Sequence, residues 1–121
     1  MDEISFRDAV IEIIKSIPFG KVTTYGTVAT LADSPRAARE VGYILHSLTE
    51  KHNLPWQRVI NRQGYISIRG GDINMKNLQK SLLEQEGVEV SDSFMIDLKK
   101  YGWGREENLD NSQLEEQLKL I

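Results

Sequence analysis

The chain contains no cysteine. Disulfides, thiolate metal sites and a cysteine nucleophile are excluded at once, and the absence suits a reducing compartment. Imidazole is scarce. The only histidines, His46 and His52, have no carboxylates placed to help them and make a poor zinc site. No metal, nucleotide or organic cofactor is indicated. Long apolar runs are also missing, and nothing approaches the roughly 20 residues needed to cross a bilayer. The opening residues, MDEISFRDAVIEIIKSIPFG, start acidic and carry periodic rather than continuous apolar positions, unlike a signal peptide. The expectation is an intracellular chain with no membrane partner.

What is present is ordinary in bulk and uneven in detail. With 121 residues, 40% hydrophobic and 27% charged, the chain has the size and composition of one globular domain with a modest core. A net charge of −3 argues against nucleic acid, but the distribution matters more than the sum. From Gly20 to Arg69 the balance is +4, whereas from Gly104 to Ile121 it is −3. A basic centre carries an acidic tail, although scattered surface charge would give the same count.

Apolar spacing predicts a helix from Ser5 to Ile17, with Phe6, Ala9, Val10, Ile13, Ile14 and Ile17 on one stripe and Ser5 as its cap. Pro18 and Gly20 end it. Thr24 can cap a second helix, Tyr25 to Leu31, with Val28, Ala29 and Leu31 inward. Ser34-Pro35 then reads as the start of a third helix running from Arg36 to about Ser47, with Ala38, Val41, Ile44 and Leu45 in the core. Two short helices joined by a tight polar turn fit a helix-turn-helix, and they fit a plain helical hairpin as well. Arg58-Val59-Ile60, a turn at Gln63-Gly64 and the alternating Tyr65-Ile66-Ser67-Ile68 predict a small β-hairpin in the position of a wing. Met75 to Glu86 predicts a polar helix with Leu78, Leu82 and Leu83 inward, stopped by Gly87. Short extended pieces follow to Trp103, and the tail from Gly104 reads as a frayed acidic helix.

Four stretches in this order, IPFGKVTTYGTVA, SPRAAREVG, LPWQRVINRQGYIS and LLEQEGV, resemble the DNA-binding domain of the O6-alkylguanine-DNA alkyltransferases. In that family the third stretch reads Pro-Cys-His-Arg-Val, and the cysteine accepts the alkyl group irreversibly. Here Trp56 stands at the cysteine's place and Gln57 at the histidine's, so the chain is more similar to the alkyltransferase-like proteins, which lack the cysteine. The resemblance implies a mostly α, winged helix-turn-helix DNA-binding domain over residues 1–103, with 104–121 as a tail.

Alkyl transfer from guanine O6 requires a soft nucleophile with a lowered pKa and a base to hold it. Trp56 offers neither, and no cysteine elsewhere can substitute. Direct repair is thereby excluded, and Glu86, matched to the family's acid, is expected to have lost both relay partners. A structural hydrogen-bonding role for it is the favoured reading. Recognition without reaction keeps its parts. The resemblance implies that Tyr25 turns the target nucleotide outward, that Arg39 fills the vacated stack through the minor groove, and that Trp56 floors a pocket for the flipped base. Arg69-Gly70 would close over that pocket, Arg69 gripping the purine by a cation–π contact and Gly70 leaving room for bulky O6 groups. Val59 lines the pocket from the same segment as Trp56. Arg36, Ala37 and Gly42 complete the DNA-facing side in this reading, Gly42 permitting close helix packing and Ala37 with Ala38 permitting close approach to a groove floor. Arg58 reads as an internal pairing, and Arg62 as either a phosphate contact or an ion pair. The family often braces its active-site segment with an Asn where this chain has Leu48, which puts the local pocket geometry in question.

The leading expectation is a monomeric, non-enzymatic sensor that binds O6-alkylguanine in double-stranded DNA by base flipping and presents it to nucleotide excision repair proteins. A winged-helix regulator without lesion preference is the alternative. A protein-binding module with no DNA affinity is a third reading.

Overall fold

The structure, a computed structural model, describes residues 5–48, 53–67 and 72–104. The expected Ile68, the loop Arg69-Gly70-Gly71, His52 and the tail beyond Gly104 lie outside those residues. Helix α1 spans Phe6–Ser16, and Ser5 caps it by accepting from the Asp8 N–H at 3.1 Å. Strand β1, Thr23–Thr24, leads directly into helix α2, Tyr25–Leu31, which Thr24 caps through the Thr27 N–H. Helix α3 covers Ala38–Leu48, and a 3₁₀ turn, Trp56–Arg58, runs into strand β2, Val59–Ile60. Helix α4, Ile73–Gln85, and a single-turn helix α5, Leu98–Tyr101, complete the described elements.

Two small cores share one wall. The first joins Val10, Ile14 and Ile17 of the α1 region, Val28 and Ala29 of α2, and Val41, Leu45 and Leu48 of α3. The second gathers Val22, Ile60, Ile66, Leu83, Val88, Val90, Ile96 and Tyr101. Strand β2 stands between them. Side chains alternate across a strand, so Val59 enters the first core and Ile60 the second. Its partner is β1, in parallel, with Thr23 opposite Val59 and Thr24 opposite Ile60. On the other side of β1, Val22 bridges Gly102, and the buried Thr23 hydroxyl donates to the Trp103 carbonyl at 2.8 Å.

The expected mostly helical domain with adjacent α2 and α3 is present, but several local details differ. The third helix begins at Ala38 rather than Arg36. The Ser34 N–H is taken by the Ala29 carbonyl and the Asp33 N–H by that of Thr30, a Schellman-type end to α2 with Asp33 at positive φ. Ser34 to Ala37 then forms its own turn, closed by Ala37 N–H to Ser34 C=O at 2.9 Å, with Pro35 in the second position that favours it. Arg36 therefore sits in the turn rather than on the helix. Leu31, expected inward, is 46% exposed, and so is Leu78. In place of Leu78, α4 turns Gln79 and Leu83 to the interior.

The wing also pairs differently from the expected hairpin. The turn is there: Asn61 accepts through its side chain from the N–H groups of Gln63 and Tyr65. Its arms, however, find other partners. Val59 and Ile60 are taken by β1, while the Ile66 N–H donates to Phe94 and the Ile96 N–H to Gly64. The arms meet each other where the Asn61 N–H donates to the Tyr65 carbonyl at 3.2 Å, and the buried Ile60 and Ile66 both enter the second core.

Helix α4 ends as its sequence predicts. The Gly87 N–H bonds to Glu84 and the Val88 N–H to Leu83, while Val88 and Leu83 pack together in the second core. Gly87 has φ +86°, and an added Cβ would meet nothing within 4 Å. Its value is conformational. Gly87→Ala is therefore expected to cost about 1–2 kcal/mol, the penalty of a left-handed residue with a Cβ. A urea midpoint that does not fall would contradict this account of the helix end.

Candidate nucleic-acid interface

The segment that raises the functional question is Leu54 to Ile60. Pro55 has φ −76° and ψ 61°, and the Trp56 N–H reaches back to the Leu54 carbonyl at 2.8 Å, an inverse γ-turn. Trp56 follows as the first residue of the 3₁₀ turn, half-buried, its apolar part packed against the first core. Tyr25 packs against that same core. Both border the first core, and the parallel β1–β2 register, Thr23 opposite Val59 and Thr24 opposite Ile60, fixes the segment that carries Trp56 against the one that carries Tyr25.

Glu86 holds this segment in place. It is the C-cap residue of α4, and its side chain is 4% exposed. One carboxylate oxygen accepts from the Gly20 N–H at 2.8 Å, and the other from the Gln57 side-chain amide at 2.7 Å. Arg58 Nε donates to both, at 2.9 and 3.2 Å. The Arg58 guanidinium also donates to the Ile17 carbonyl at 2.8 Å and lies 5.7 Å from the Phe19 ring. Gly20 has φ +82° and a backbone oxygen of Glu86 only 3.3 Å from where a Cβ would be, so a side chain there would spread the contact. Burial alone would raise the Glu86 carboxyl. The Gly20 N–H, Arg58 and Gln57 outweigh it and hold the group below the ordinary glutamate range. Thus Arg58 is an internal pairing, as expected. The expectation that Glu86 has lost both partners is corrected: Gln57 supplies a hydrogen-bond donor to it.

Gln79 was not legible as a site residue. It is 2% exposed, and its amide nitrogen donates to the carbonyls of Gln57 at 3.0 Å and Val59 at 3.1 Å. Its place four residues before Leu83 and seven before Glu86 puts it on the same helical stripe, the one available signal. Leu48, the position whose identity raised a question about bracing, is buried in the first core instead.

The DNA-facing candidates fall on α2, α3 and the turn between them. Tyr25 opens α2, and burial pushes its phenol up, so it stays a neutral donor across the physiological range. A Cβ at Gly42 would sit 3.9 Å from two Tyr25 ring carbons, which makes Gly42 the point where α3 meets that ring. Arg36 and Arg39 are exposed, and neither forms an ion pair among the described residues. Ala37 accepts from the Val41 N–H at the mouth of α3. Val59, only 1% exposed, can shape a pocket from beneath and no more. Among the described residues no group of three acidic or imidazole side chains could hold a metal, and no helix is long and apolar enough to cross a membrane.

A family model for the DNA-binding domain of 6-O-methylguanine DNA methyltransferase matches residues 5–88. The chain belongs to that family. A DNA base-flipping protein of Escherichia coli is 52% identical over 101 residues, which span 84% of this chain and 76% of that protein. Alkyltransferase-like protein 1 of Schizosaccharomyces pombe is 40% identical over 108 residues, covering 85% and 96% of the two chains. The solved structure of S. pombe Atl1 in complex with damaged DNA containing O6-carboxymethylguanine matches with a TM-score of 0.76 at 36% identity, over 85% of this chain and 98% of that one. Methyltransferases of Mycobacterium tuberculosis match less closely, with a TM-score of 0.54 for the complex with DNA. Within the family, this chain has no cysteine to accept an alkyl group.

The Glu86 network makes an acid-sensitive prediction. A carboxylate whose folded pKa is depressed contributes stability above its unfolded pKa and loses it as pH falls through the folded value. The wild type should thus lose stability in acid, below the usual glutamate range, faster than Glu86→Gln. At neutral pH, Glu86→Ala leaves the Arg58 guanidinium and two N–H donors unpaired, at a cost of about 3 kcal/mol. Denaturant melts across pH that give parallel curves for wild type and Glu86→Gln would remove Glu86 from this role.

Proposed function

We propose that this protein is a non-enzymatic sensor of alkylated DNA. It docks in the minor groove, flips O6-alkylguanine out of the duplex, holds the base without transferring the alkyl group, and marks it for nucleotide excision repair proteins. The observation that carries the proposal is Trp56: a broad aromatic surface, half-buried against the first core and followed by two residues, Gln57 and Arg58, that are tied to Glu86, in a chain without a thiol. Such a group cannot accept an alkyl cation, but its face can stack against a base. Base–aromatic stacking is worth about 1–3 kcal/mol, comparable to the few kcal/mol needed to unstack a nucleotide whose pairing a lesion already weakens.

The remaining roles are assigned from the resemblance. Tyr25, neutral and beside Gly42, turns the target nucleotide outward. Arg39, exposed near the start of α3, enters the vacated stack, where its planar guanidinium both stacks and donates. Arg36, in the turn before α3, contacts phosphate. Ala37 and Ala38 let the helix approach the groove floor, and Gly42 keeps α3 close to Tyr25. Val59 backs the pocket. Arg69 and Gly70 are assigned the closing loop, Arg69 over the purine face. The resemblance to relatives named for base flipping, and to a fold solved with an O6-modified guanine, supports this reading.

Two short duplexes that differ only in one O6-methylguanine test it. Wild type should prefer the lesion by about tenfold or more, equivalent to about 1.4 kcal/mol. Trp56→Ala and Arg39→Ala should both lose the preference. Arg36→Ala should weaken binding to the two duplexes alike and flatten the salt dependence. Equal affinity of the wild type for both duplexes would leave a DNA-binding regulator, and no affinity for either would remove DNA from the account.

A further inference from the structure

We infer that Gln79 is the residue that sets the orientation of Trp56, and that lesion selectivity depends on it while general DNA affinity does not. The inference rests on the reading of Trp56 as the lesion contact and adds the device that aims it.

Helix α4 breaks its own apolar pattern at Gln79. Helix α4 presents Leu83 to the second core, and the matching position one turn earlier holds an amide rather than an apolar side chain. A buried amide is costly unless its hydrogens are used. Here the amide nitrogen donates to the Gln57 carbonyl at 3.0 Å and to the Val59 carbonyl at 3.1 Å. The 3₁₀ turn's own bonds use different carbonyls: Arg58 N–H bonds to Pro55, and Val59 N–H to Trp56. Gln79 therefore supplies a donor to the Gln57 carbonyl that the turn itself does not.

The geometry of that clamp matters more than its strength. The two carbonyls lie on either side of Arg58, and a single planar amide reaches both. The segment is fixed at two points from one side, while Glu86 holds the Gln57 and Arg58 side chains. Rotation of the segment about its own axis would break both amide bonds together. Trp56 immediately precedes the clamped residues and is only half-buried, so packing alone leaves its indole incompletely fixed. A stacking surface must be presented at one angle to discriminate a modified base. None of the hydrogen bonds of Gln79 reaches α2, α3 or the turn between them, so the arginines that would bind phosphate are untouched by its loss.

The test uses the full chain with the same lesion and undamaged duplexes, and compares Trp56→Ala, Gln79→Met and Gln79→Asn. Methionine keeps the length and removes the donors. With two hydrogen bonds of ordinary net strength lost, the ratio of lesion to undamaged affinity should fall about fivefold or more, with undamaged affinity within about twofold of wild type. A residue that merely stabilised the fold would lower both affinities by the unfolded fraction and leave the ratio unchanged. Trp56 emission, read in a Trp103→Phe background, should also shift to the red and lose anisotropy in Gln79→Met. Should Gln79→Met yield no folded protein, Gln79→Asn withdraws the amide by one methylene and carries the same expectation. A folded variant of either kind with the wild-type ratio overturns the inference. If Trp56→Ala itself keeps the wild-type preference, the lesion-contact reading fails first, which is a different result from a failed clamp.

Discussion

The Glu86 carboxylate is the contact on which the rest depends. It gathers an N–H from the turn after α1, a side-chain amide from the residue after Trp56, and a guanidinium from the residue after that. Two stretches, each far from Glu86 in sequence, meet on its one carboxylate. The same guanidinium reaches Ile17, so the α1 end, the 3₁₀ turn and the α4 end form one knot. A nearly buried ion pair of this kind is not a large source of net stability, since desolvation offsets most of the attraction. Its effect is to specify a single arrangement. Removing one partner is expensive because the others are left buried without a donor or acceptor.

That knot makes sense of the Trp56 segment. In an enzyme of this family an acid beside the reactive site would serve the chemistry. Here there is no thiol to activate, yet the acid remains, bonded to Gln57 and Arg58. On the proposed reading its job is mechanical: it holds a stacking surface steady while Gln79 takes the backbone from beneath. The helix-turn-helix supplies the other half. Helix α3 meets the Tyr25 ring at Gly42, and Arg36 and Arg39 stand exposed on the turn and the first turn of α3. On the proposed reading, positioning on DNA and discrimination of the base thus fall to separate parts of a small domain.

Much of this was legible in the sequence where the cause is local. The caps at Ser5 and Thr24, and the stop at Gly87, follow from side chains that reach their own backbone or from a left-handed turn. Helix α3 was misplaced by two residues because Pro35 suits either a first helical turn or a β-turn. The choice was made by the Ala29 carbonyl, which claims the Ser34 N–H. The wing departs from the sequence pattern for a longer-range reason: an apolar pair such as Val59-Ile60 does not announce its partner, and β1 lies 36 positions upstream. Trp56 was visible as an anomaly, a tryptophan after a proline in a polar stretch. Its support was not, because Gln79 and Glu86 look like ordinary polar residues of a polar helix until the helix is docked.

The most direct test of the central claim is whether the lesion leaves the helix. A fluorescent cytosine analogue placed opposite O6-methylguanine reports stacking at that step. Saturating wild-type protein should raise its emission as the lesion base is extruded, with no rise on an undamaged duplex and a much smaller one for Arg39→Ala. Tight binding to the lesion duplex with no change in emission would mean that the base stays stacked, and the Trp56 pocket would no longer explain recognition.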